Sequence, residues 1–87
     1  MVTIINTHEV IDFNSWKQQF ESGVENRKRA GINIINVYSD NTNPNKLTVI
    51  SEVADSESAH AFISNLKPAL EKISVGDPQI TVVNKVF

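Results

Sequence analysis

Residues Ile32 to Ala54 read INIINVYSDNTNPNKLTVISEVA, and this stretch decides the fold. Two β-rich runs, Ile32–Ser39 and Lys46–Ala54, flank the segment Asp40-Asn41-Thr42-Asn43-Pro44-Asn45. Asx side chains and the fixed φ of proline favour reversal, so the runs should pair as an antiparallel hairpin. In the second run Leu47, Val49, Ser51 and Val53 alternate with Thr48, Ile50 and Glu52, which separates an inner from an outer face.

Working outward, the hairpin is preceded by a strand over Val2–Glu9 and a helix from about Phe13 to Arg29. Asp12 is a suitable N-cap, and Phe13, Trp16, Phe20 and Val24 recur three or four positions apart as one apolar stripe. Gly23 weakens this helix and Gly31 ends it in a left-handed conformation. After the hairpin, Asp55 or Ser56 caps a second helix whose stripe is Ala59, Phe62, Ile63 and Leu66. Pro68 is expected to interrupt it, with a short restart to Ile73, because proline removes a helical hydrogen bond. Gly76-Asp77-Pro78 turns the chain into a last strand, Gln79–Val86. The order is βαββαβ, which predicts an α+β, ferredoxin-like domain: a four-stranded antiparallel sheet with both helices on one face.

Composition narrows the function classes. With 87 residues the chain reads as one domain, 1–87, with a thin core. It has no cysteine, so neither a disulfide nor a thiolate zinc site contributes. Eight basic and ten acidic residues give a net charge of -2, without the electrostatic footprint of a nucleic-acid binder. The one basic cluster, Arg27-Lys28-Arg29, complements the negative end of a helix dipole. No apolar run can span a bilayer and Met1–Ile5 does not resemble a signal peptide, so the expectation is a cytoplasmic protein without a membrane partner.

The strands carry more apolar surface than one covered face requires. Ile4 and Ile5, Ile34 and Ile35, Val49 and Ile50, and Val82 and Val83 are adjacent pairs that must point to opposite faces. A large contiguous apolar face is unusual on a soluble monomer, so the chain is expected to dimerise with itself, sheet to sheet.

Asp12-Phe13-x-x-Trp16-x-x-x-Phe20, followed by Arg27 and Gly31 after a strand, resembles the first helix of dimeric α/β-barrel proteins. That superfamily includes antibiotic-biosynthesis-monooxygenase-like and stress-responsive barrel proteins. The resemblance implies two ferredoxin-like protomers packed sheet to sheet, with a pocket between helices and sheet in each. It implies a small apolar or aromatic ligand and, in some members, cofactor-independent monooxygenation using Asn, Trp, Tyr or Arg. Haem-degrading relatives combine an Asn on strand one, a Trp on strand three and a His on helix two. Asn6 and His60 match two of those places, but Lys46–Ala54 contains no Trp.

The candidate chemistry is sparse. His8 is in phase with Asn6 and Ile4, so His8 and Asn6 face one way and together can bind and deprotonate a phenol or enol. The structural alternative is a hydrogen-bonded histidine at the sheet rim. His60, at the edge of the second helix's stripe, is the other candidate base; its bland reading is a surface residue. Trp16 and Phe20 are core residues that can also roof a pocket for a flat ligand, and Tyr38 can orient one through its hydroxyl. Arg27 can reach an anion or pair with glutamates one turn away. Two histidines without metal-ligand spacing, and no glycine-rich phosphate loop, point to no metal and no cofactor. The classes left open are a small-molecule-binding protein, a cofactor-independent monooxygenase, and a regulatory ligand-sensing or interaction module.

Overall fold

The Asp40 side chain closes the central hairpin. Its Oδ2 accepts hydrogen bonds from the Thr42 N–H (3.1 Å), the Thr42 hydroxyl (2.8 Å) and the Asn43 N–H (3.1 Å). The structure, a computed structural model, describes residues 1–87. The hairpin joins β2 (Asn33–Ser39) to β3 (Lys46–Val53). In turn β3 pairs with β1 (Val2–Glu9), and β1 with β4 (Gln79–Asn84), all antiparallel in the order β2-β3-β1-β4. This is the ferredoxin-like α+β arrangement that the element order implies.

Alternation sorts the sheet into two faces. Val2, Ile4, Asn6, His8 and Val10 of the first strand region are buried, as are Leu47, Val49, Ser51 and Val53 of β3. Two apolar clusters lie on this inner face. One joins Val2, Ile4, Ile32 and Val53 to Ala59 of α3 (Ser56–Ile73), and the other joins Val10, Leu47 and Val49 to Trp16 of α1 (Phe13–Ser22). Asp12 and Asp55 cap these helices, their carboxylates accepting the N–H of Ser15 and Ser58.

Two expectations about the helices are corrected. The first helix does not run unbroken to Arg29: it stops at Ser22, and α2 (Val24–Arg29) begins after Gly23, whose φ of -86° and ψ of 2° depart from helical values. The break turns Val24 out of the stripe, leaving it exposed. Conversely, α3 passes through Pro68 without stopping. Pro68 and Ser64 are both exposed, so the Ser64 carbonyl deprived of its N–H partner faces water and the break costs little. Gly31 does end α2 with a positive φ of 74°.

The outer face is moderately apolar. Ile5 pairs directly with Ile50, and both are half-buried. A bulge between Ile34 and Asn36 makes Ile35 the extra residue of β2, exposed beside Ile50 and Val83. The Thr7 and Thr48 hydroxyls hydrogen-bond at 3.2 Å. No helix is long and apolar enough to cross a membrane.

Candidate functional site

Along the inner face of β1 the row of side chains changes character halfway, from Val2 and Ile4 to Asn6 and His8, before returning to Val10. Asn6 stands between Val49 and Ile80, and His8 opposite Leu47, so their lateral neighbours are apolar. Asn6 is 5 % exposed and His8 3 %. Neither the Asn6 Oδ1 nor either ring nitrogen of His8 has a hydrogen-bond partner in the chain. Buried polar atoms are paired in the great majority of cases, and leaving one unpaired costs about 1–3 kcal/mol. His8 is thus not the hydrogen-bonded rim residue of its structural alternative. Burial without a counter-charge pulls its pKa below the ordinary histidine value, so at neutral pH the imidazole is uncharged and offers one donor and one acceptor.

The roof comes from α1. The Asp12 carboxylate accepts from the Ser15 N–H (3.0 Å) and the Ser15 hydroxyl (2.7 Å), fixing the first turn. These bonds, the hydroxyl first, hold Asp12 below the usual carboxylate pKa. Trp16, one turn on, sets its ring 6.3 Å from that of His8. Phe13 lies 5.9 Å from Trp16 on one side and Phe20 stacks 4.9 Å away on the other, at 23°. The stack ends at Arg27, whose guanidinium carbon sits 4.0 Å from the Phe20 ring centroid.

Trp16 also divides two clefts. The larger, about 340 Å³, opens between α1 and the strand ends, with Phe13, Trp16, Phe20 and Leu47 on its apolar walls and Val37, Tyr38 and Ser39 opposite. The smaller, about 180 Å³, lies beyond Trp16 between Val10, Ser15 and Ile73. Asn6 and His8 line neither: the Trp16 ring stands between His8 and the larger cleft. A ligand seated in that cleft would reach His8 only after a displacement of the indole.

Of the residues singled out from sequence, Asn6, His8, Trp16 and Phe20 are gathered here. Tyr38 lies at the rim, exposed, and its pairing with Thr48 assigns it to the outer face by register. His60 is not brought to the site: it is exposed on α3, next to Ala59 of the other cluster, and lines no cleft. Arg27 does not pair with a glutamate, since the chain's one ion pair joins Lys17 to Glu21 at 4.0 Å. Leu47 and Val37 complete the cleft without having stood out, since as strand residues in an apolar run they carry no signal beyond β-propensity. No three His, Cys, Asp or Glu side chains converge as metal ligands would.

No family model matches the chain, and no curated protein sequence matches it. Solved structures do. An antibiotic biosynthesis monooxygenase superposes with a TM-score of 0.70 at 14% identity, covering 99% of each chain. Protein Atu4242 from Agrobacterium tumefaciens gives 0.68 at 12% identity, over 97% of this chain and 92% of that one. A candidate antibiotic biosynthesis monooxygenase from Deinococcus radiodurans gives 0.63 at 16% identity, over 98% and 92%. At such identities the likeness establishes a shared fold, the ferredoxin-like fold of antibiotic-biosynthesis-monooxygenase-like proteins, and nothing finer.

Proposed function

We propose that this chain is a homodimeric small-molecule-binding protein whose ligand is flat and largely apolar, seated against Phe20 and Trp16 and, once the indole swings aside, hydrogen-bonded by Asn6 and His8. The observation that carries this reading is the unpaired polar cluster of Asn6 and His8, held dry beneath Trp16, whose ring also walls an apolar cleft. A sheet interior filled with valine would be more stable. Polar groups retained at a stability cost are the usual mark of a site built for something else. Pairing of the outer sheet faces, through Ile5, Ile35, Ile50 and Val83, would cover the apolar surface that a monomer leaves wet.

A thermal-shift series with flat phenols and quinones tests the binding. A ligand that engages the site raises the Tm of the wild type in proportion to its affinity. The shift should vanish in His8→Leu and Asn6→Leu and persist in His60→Ala. Equal shifts in all four proteins would overturn the assignment.

The neutral state of His8 supports a second reading, a cofactor-independent monooxygenase, in line with the monooxygenase named among its structural neighbours. An uncharged imidazole can take the proton of an anthrone-type enol, leaving a carbanion electron-rich enough to meet O2 directly. One oxygen atom becomes the new carbonyl and the other leaves as water with the two hydrogens lost from carbon. Oxygen uptake matched one-to-one by quinone formation, and abolished by His8→Leu, is the expected result; uptake at the uncatalysed rate removes this reading.

A further inference from the structure

A third cleft, of about 410 Å³, adjoins the aromatic one across Phe20, which lines both. Its other walls are Val24, Ile32, Ile34 and Asn33, with Arg27 and Lys28 as its charged groups. No carboxylate lines it.

Arg27 is the unusual member. The guanidinium lies over Phe20, half-buried, with neither an ion pair nor a hydrogen bond to the chain. Glutamates are available nearby at Glu21 and Glu25, yet the first pairs with Lys17 and neither meets Arg27. Gly23 makes the pose possible: a Cβ there would stand 2.8 Å from the Arg27 Nη1. The helix break, the missing side chain and the stacked ring therefore combine to hold one planar cation, its fork of N–H donors unclaimed, at the end of the Trp16–Phe20 stack. A planar fork of this kind matches a carboxylate in bidentate fashion, and Lys28 adds a second positive charge.

Resting on the binding-site reading above, we infer that the ligand is an organic anion: a one- or two-ring apolar body lying along Trp16 and Phe20, with a carboxylate held by Arg27 and assisted by Lys28. The aromatic cleft supplies affinity for the rings, and the adjoining cation selects acids over neutral compounds of the same shape. Charge complementarity is lost with Arg27 while the ring contacts remain.

Isothermal titration with 2-naphthoate and 2-naphthol separates the two contributions. The wild type should bind 2-naphthoate about tenfold more tightly than 2-naphthol, as expected when one charge-assisted pair is made in a partly dry site, and added salt should reduce that preference. Arg27→Met keeps the apolar stem over Phe20 and removes the charge. It should bind 2-naphthol as the wild type does, which also reports an intact fold, and lose the preference for the acid. Lys28→Met should retain most of it. If the wild type binds both probes equally, or Arg27→Met leaves the preference intact, the anion assignment is wrong while the aromatic site stands. If neither probe binds the wild type, the site reading fails and the anion assignment falls with it.

Discussion

His8 is the residue at which stability and function pull apart. Its folded-state pKa is lowered by burial, while the unfolded chain titrates near the ordinary histidine value of about 6.5. As pH falls through that value the unfolded state takes up the proton first, so stability declines from about pH 7 downward until the folded state protonates as well. The Asp12, Asp40 and Asp55 carboxylates, held below their usual range chiefly by hydrogen bonds from Ser15, Thr42 and Ser58, lose their contributions only in the acid range beneath it. Between pH 7.5 and 5.5 the His8 contribution is therefore separable. His8→Leu should stabilise the protein by about 1–3 kcal/mol at pH 7.5, because two unpaired nitrogens leave the interior, and by more at pH 5.5. Urea titrations at both pH values measure this; a gain that does not widen on acidification would mean that His8 is not the group responsible.

At the scale of elements, β1 was legible in full because β-branched residues dominate Val2–Glu9, a local preference that the pairing on both sides satisfies. The two caps and the Asp40 turn were legible because each is a local event between residues two or three apart. The helices were less so, for an opposite reason in each case. At Gly23 the chain ends α1 outright, where its sequence signalled only a weakening, and the bend coexists with the Arg27–Phe20 contact, a pairing that no local propensity encodes. Pro68 fails to end α3 because the carbonyl it orphans is wet, and exposure is a property of the finished fold. The placement of Asn6 and His8 on one face followed from their spacing, but their lack of partners depends on what the neighbouring strands set beside them. Pro68→Ala should restore the missing bond to Ser64 but, because that carbonyl is already wet, stabilise the protein by no more than about 1 kcal/mol in urea unfolding. Unchanged stability would show that the proline is compensated elsewhere in α3.

The whole molecule presents a helix-covered face and a bare one. Ile5 and Ile50 meet directly at the centre of the bare face, flanked by Ile35 and Val83 and by paired threonine hydroxyls. If two copies associate there, Ile50→Lys places a charge on each side of the contact and should give a monomer by light scattering, with the helix and strand signature of the wild type retained. A wild type that is already monomeric at micromolar concentration would remove the dimer proposal but leave the site intact, because every residue assigned to binding comes from one chain.

Trp16 is the chain's single tryptophan, and its indole rests beside the imidazole of His8. Excited indole passes an electron to a protonated imidazole far more readily than to a neutral one, so its emission reports the charge on its neighbour. The protein thus carries a built-in optical gauge: while the fold holds, fluorescence that dims on acidification reports protonation of His8, without any label.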